Sequence, residues 1–179
     1  MKRKWQLSVL ETALFAMFGG MMFASKVLMA RIPNVHLIAL FIMVLTTVYR
    51  FKALFPIAIY ILLEGLVYGF SVWWIPYLYL WPLLWGVVML LPKNLSDRWR
   101  LILYPVFGLL HGLSFGTLFA PVHALAFRLS FQGMIAWIAA GFPWDVVHGV
   151  SNFVIAFLSV PLIRLIRKLD HKMRSSDNV

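Results

Sequence analysis

The stretch that decides the fold is HLIALFIMVLTTVY (residues 36–49), followed by RFK (50–52) and ALFPIAIYILLEGLVYGF (53–70). The first run holds no Lys, Arg, Asp or Glu, and the second holds only Glu64. A membrane helix needs about 20 mostly apolar residues to cross a hydrocarbon core about 30 Å thick. Two such runs, parted by Arg50 and Lys52, read as consecutive spans joined by a short basic turn.

The same pattern extends in both directions. Upstream, a first span runs over 7–29 and ends at the break Arg31-Ile32-Pro33-Asn34. It follows a basic start, Met1–Lys4, and its apolar stretch continues past any small-residue cleavage site, so it reads as a retained helix. Downstream, residues 71–76 form an aromatic-rich turn, and a fourth span covers 77–91 with a kink expected at Pro82. The polar stretch 92–100 is a loop, and a fifth span covers 101–119. Arg128, Ser130 and Gln132 interrupt residues 120–142, which read as a structured, partly re-entrant outer loop. The last span covers 143–166 and leads into a basic tail. The expected architecture is an all-α integral membrane protein, one domain over 1–179, forming a bundle of six transmembrane helices.

Composition agrees. The 179 residues are 63% hydrophobic and 12% charged, with a mean hydropathy of +0.88. Soluble domains carry about 45–50% apolar and about 25% charged residues. The formal charge of +10 does not point to nucleic acid, because the basic residues punctuate apolar segments and form no stripe. With the N-terminus inside, thirteen Lys and Arg fall on the cytoplasmic side and only Lys26, Arg31 and Arg128 outside. The positive-inside rule therefore places both termini in the cytoplasm. Trp73, Trp74, Tyr77, Tyr79 and Trp81 gather where an outer aromatic belt would lie. The absence of cysteine excludes disulfides, thiolate chemistry and Cys-ligated metal.

Ionisable side chains at membrane depth are costly and normally face the bundle interior or water. Here they are Glu11, Lys26, Glu64, His111, Asp145 and His148. Asp145, His148 and Asn152 stand at i, i+3 and i+7, on one helical face. Pro143 suits a first helical turn and an Asp there suits the helix dipole. That face is open between an inward functional surface and a capping Asp with a satisfied His. Glu64 is open between pairing with Lys26 or a histidine and accepting bonds from a ligand. Lys26 and Arg31 can snorkel to the outer headgroups. His111 and Ser114 read as a helix–helix hydrogen-bonding pair. His36, His123 and Arg128 stand at loop edges.

The histidines lack an i, i+4 metal pair, so neither a metal nor a resident cofactor is expected. No G-x-S-x-G turn accompanies Asp145 and His148, so an intramembrane enzyme using that pair is the weaker alternative. Ala13, Ala16, Gly20 and Ala24 line one face of the first helix at small-xxx-small spacing. Such a face serves either internal packing or docking onto another membrane subunit, and Met17, Met21 and Met22 flank it with adaptable side chains.

Gly141-Phe142-Pro143-Trp144-Asp145-Val146-Val147-His148-Gly149-Val150-Ser151-Asn152-Phe153 is similar to the G-x-P-x-D-x-x-H-x-x-x-N-F opening of the last helix in one branch of the S components of energy-coupling factor (ECF) vitamin transporters. The family's Ala-x-x-x-Ala docking motif stands here as Ala16-x-x-x-Gly20, so the small-residue logic holds while the literal motif does not. The resemblance covers nearly the whole chain. It implies a protein of a prokaryotic plasma membrane that captures a vitamin from outside. It also implies docking, through Ala13, Ala16, Gly20 and Ala24, onto a transmembrane coupling protein with two ATPase subunits. The chain itself has no Walker A pattern.

By that resemblance the outer pocket would be lined by Arg31, His36, Glu64, Tyr68, Trp73, Trp74, Tyr77, His123, Arg128, Trp144, Asp145, His148 and Asn152. Aromatic walls with a few polar groups suit a flat heteroaromatic or macrocyclic ligand. Cobalamin is the first expectation, with residues 120–142 covering a bulky ligand. Thiamine or a precursor, queuosine and folate are the alternatives, and two outer acids, Glu64 and Asp145, weigh against folate.

Overall fold

The capping box at the head of the first helix shows how the sequence starts the structure, a computed structural model that describes residues 6–176. Ser8 Oγ accepts from the Glu11 N–H at 3.1 Å, and Glu11 Oε2 accepts from the Ser8 N–H at 3.0 Å. The basic start Lys2, Arg3 and Lys4 lies outside the described residues. From this cap α1 runs Val9–Met29, followed by α2 (Ile38–Tyr49), α3 (Leu54–Tyr68), α4 (Tyr77–Met89), α5 (Asp97–Phe127), α6 (Phe131–Ile155) and α7 (Ser159–Ser176). The described residues contain no strand.

Among the described residues, five helical stretches are long and apolar enough to cross a membrane: Val9–Met29, Ile38–Tyr68, Val72–Met89, Asp97–Phe127 and Phe131–Met173. The second of them folds back on itself. Lys52 pairs with Glu11 at 2.7 Å near the start of α1, and Lys26 pairs with Glu64 near its end. Those two pairs set α3 parallel to α1. Helix α2 runs the opposite way, so that its last residue, Tyr49, packs edge-on against Phe15 at 5.1 Å. The reversal falls at Arg50, whose φ of 54° lies in the left-handed region. Its surroundings hold that conformation in place. Trp85 Nε1 donates to the Arg50 carbonyl at 3.1 Å. The Arg50 guanidinium donates to the Met89 carbonyl at 2.7 Å, closing an open C-terminal acceptor of α4.

Helix α2 is the core. Ile38 to Leu40 and Ile42 to Thr46 are all buried, as suits a helix that is apolar all round. Phe15, Phe18 and Met22 of α1, Ile57 and Tyr60 of α3, Trp81 and Leu84 of α4 and Tyr104 of α5 complete it. Large apolar side chains elsewhere face outward, among them Leu62, Leu66, Leu110, Val150 and Val154 at 50–62% exposure. An apolar surface spread over several helices exceeds the patches soluble monomers expose. It is compatible with a multi-pass membrane protein.

Residues 120–142 depart from the predicted outer loop. Helix α5 continues to Phe127 and α6 begins at Phe131, leaving only a tight turn between them. The polar residues that suggested a loop are the turn itself. Arg128 caps α5 in the left-handed conformation (φ 54°), and Ser130 Oγ caps α6 by accepting from the Gly133 N–H at 3.1 Å. Pro121 and Pro143 sit inside these helices, so Pro143 does not open the last helix and Asp145 is not near its cap. Three glycines of α5 let the hairpin close: Gly108 meets Asn152, Gly112 meets Gly149 and Gly116 meets the Asp145 carboxylate. With 31 residues α5 is about 46 Å long. It therefore overhangs the bundle at the end opposite Arg50 and Lys52.

Candidate functional site

Parallel packing of α1 and α3 brings Lys26, from the last turn of α1, against the wholly buried Glu64. Glu64 Oε2 takes the ammonium, while Oε1 faces the interior without a hydrogen-bond partner. The Lys26 ammonium also lies 5.6 Å from the Tyr68 ring centroid and 5.3 Å from that of Tyr77, within cation–π range. The pair closes one side of a cavity of about 450 Å³. Tyr68, Trp73, Tyr77 and Phe115 supply aromatic walls, the loop after α1 supplies Pro33 and Asn34, and His36 and His148 supply polar edges.

The histidines stack into the bundle. His36 meets His148 edge-on at 4.8 Å, and His148 lies 6.3 Å from His111 beneath it. His111 Nε2 is spent on the Leu80 carbonyl at 3.1 Å. His36 Nδ1, His148 Nε2 and His111 Nδ1 have no partner, nor does either amide atom of Asn152. Buried polar groups are normally satisfied, so these open donors and acceptors stand out; of their residues, His36 and His148 border the cavity, while His111 and Asn152 lie deeper in the bundle. Among the described residues no group of three or more His, Cys, Asp or Glu is arranged to hold a metal ion.

A second chamber of about 460 Å³ shares Pro33, Asn34 and Phe115 with the first. It lies between the overhanging parts of α5 and α6, against Phe119, Trp137, Trp144 and Asp145. Asn34, at φ 58°, holds the loop on the partition between the two. Its side-chain amide donates to the Trp144 carbonyl at 3.0 Å, and its own carbonyl accepts from Ser151 Oγ at 3.3 Å.

The residues expected in a pocket therefore divide. His36, Glu64, Tyr68, Trp73, Tyr77 and His148 line the first chamber, and Trp144 and Asp145 the second. Asn152 shares their face but sits deeper, packed on Gly108. Trp74 is directed elsewhere, its Nε1 donating to the Ile61 carbonyl at 2.7 Å. Arg31 and Arg128 are exposed in turns. His123 stacks on Trp137 at 4.5 Å, at the back of the second chamber. Lys26 is no simple snorkelling residue, because Glu64 draws it into the cavity wall.

Sequence reading missed Asn34, Phe115, Phe119 and Trp137. A signal for two of them existed: His111, Phe115 and Phe119 recur every four residues, a single helical stripe.

On the far side of α1, Ala13, Ala16 and Ala24 are exposed, and a methyl group at Gly20 would meet nothing within 4 Å. The neighbouring Gly19 is the glycine that packs on α3, against Pro56 and Ile59. The small-residue strip thus faces away from this bundle. Comparisons with protein-family models, with curated proteins and with solved structures found no match to this chain.

Proposed function

We propose that this chain is the substrate-binding S component of an ECF-type transporter, a six-span protein of the plasma membrane with both termini cytoplasmic, which captures a vitamin-like solute from outside. The observation that carries the reading is the ligand-sized cavity at the end of the bundle opposite Arg50 and Lys52, lined by aromatic rings around the Lys26–Glu64 pair. The outward strip Ala13, Ala16, Gly20 and Ala24 supports docking to a transmembrane coupling protein whose two ATPase subunits supply the energy. One observation supports the count of six: the stretch Ile38–Tyr68, one of the five, is made of two antiparallel legs, α2 and α3.

The chamber volumes bear on the cargo. Pockets for drug-sized ligands span about 300–1,000 Å³, and each chamber, at about 450 and 460 Å³, lies in the lower half of that range. Residues 120–142, which were to cover a corrinoid, form a helical hairpin. Both points favour a cargo of the size of thiamine or its precursors over cobalamin. The intramembrane-enzyme alternative finds less support, since Asp145 and His148 border different chambers and make no ion pair with each other.

Mass spectrometry of small molecules released from the protein purified in mild detergent tests the reading. A stoichiometric, intact micronutrient-sized molecule, lost on Glu64→Ala, is the expected result. Chemical turnover of added compounds that ceases with Asp145→Asn or His148→Gln would overturn it.

A further inference from the structure

Other acids among the described residues have basic partners. Glu11 is held by Lys52, Glu64 by Lys26, and Asp97 by Arg100 and Arg164. Asp145 differs. It is only 6% exposed, and both its oxygens lean on a single donor, the Gly116 N–H, at 3.1 Å each. No basic side chain of the described residues pairs with it. A carboxylate offers about four lone-pair sites, so most of its accepting capacity is unspent. Room for it is built in, because a side chain at Gly116 would overlap the carboxylate.

Asp145 shares its chamber with aromatic side chains. Trp137 lies almost parallel to Phe119, 6.0 Å apart and tilted by 22°, and Phe115 and Trp144 border the same space. A buried carboxylate attracts positive charge strongly where the local dielectric is low. Ring faces attract it as well, through their quadrupoles. The two attractions converge on one kind of guest and disfavour an anion. Lys26 does not oppose it, being neutralised by Glu64 in the other chamber.

We infer that the second chamber receives a flat organic cation, the positively charged heteroaromatic part of the ligand, with Asp145 as its counter-ion and the aromatic side chains that line the chamber, Trp137 and Trp144 among them, as its walls. The inference rests on the reading of these chambers as a substrate site, and it adds the charge and shape of the guest.

The test uses two probes of nearly equal shape, 1-methylnicotinamide, a cation, and nicotinamide, its neutral counterpart. Each is titrated into the purified full-length chain in lipid nanodiscs, with quenching of tryptophan fluorescence as the signal. The cation is expected to bind at least about tenfold more tightly than the neutral probe. That preference should vanish in Asp145→Asn, whose amide oxygen can still accept from Gly116. Should that variant not fold, Trp137→Leu serves instead and should weaken the cation by about tenfold. Equal binding of the two probes, binding of neither, or a preference that survives both substitutions overturns the inference. Its failure is separable from that of the transport reading: a chain that assembles with a coupling protein and ATPases yet shows no cation preference sinks only the former.

Discussion

Replacing Lys26 by Met keeps the length and apolar stem of the side chain but leaves Glu64 a wholly buried carboxylate with neither oxygen paired to a cation. Breaking a buried ion pair from one side costs about 3–5 kcal/mol. The Lys26 side chain is 27% exposed, so water partly screens the pair and the lower end, about 3 kcal/mol, applies. For a chain of this size each kcal/mol moves the melting temperature by about 2–4 °C, so Lys26→Met should melt about 6–12 °C lower. Glu64→Gln should cost less, about 1 kcal/mol, because the amide retains an acceptor and Lys26 can reach the headgroups. The double variant should then be more stable than Lys26→Met alone, since the stranded charge is gone. Thermal unfolding of all four proteins in the same detergent, combined as a double-mutant cycle, reads the coupling directly. A Lys26→Met protein as stable as wild type within about 0.5 kcal/mol, the range of ordinary surface changes, refutes the reasoning.

Other consequences follow from single contacts. Gly112→Ala places a methyl carbon 2.5 Å from the Gly149 Cα. It should splay the α5–α6 hairpin at a cost of about 1–3 kcal/mol, seen as a lower melting temperature. Gly20→Leu meets open space, so it should leave melting unchanged yet abolish co-purification of the proposed coupling protein. Arg50→Ala removes the donor to the Met89 carbonyl at 2.7 Å and should cost about 1.5–3 kcal/mol by the same assay, as for other charge-assisted hydrogen bonds. Asn34→Ala frees the loop over both chambers, and hydrogen exchange of residues 30–37 should accelerate while that of α2 does not.

Much of the helix pattern was legible because it rests on composition alone. The runs around Arg50 and Lys52 had to be helical and apolar-facing, and the basic pair had to mark the turn. What composition does not carry is helix length where polar residues can serve as caps. Arg128 and Ser130 look like loop residues in sequence, yet their chemistry is that of a C-cap and an N-cap in a turn between two long helices. That one misreading displaced Pro143 and Asp145 from the middle of a helix to its start. A place on the cavity wall was legible for His36, Glu64 and His148, polar groups amid apolar spans. It was hidden for Phe115 and Trp137, because an apolar ring in an apolar span carries no mark of the cavity it lines. Lys26 shows a further limit. Its pairing with Glu64 was open in the sequence, because spans one and three of an alternating bundle run the same way, but only the packed structure chooses Lys26 over a histidine.

The transport reading is tested most directly by purifying the tagged chain from its native membranes in mild detergent and determining which subunits accompany it. A transmembrane coupling protein and two ATPase subunits in fixed proportion, all lost on Gly20→Leu while the variant remains folded, is the expected result. A chain that elutes without them, or whose partners are indifferent to Gly20→Leu, contradicts it.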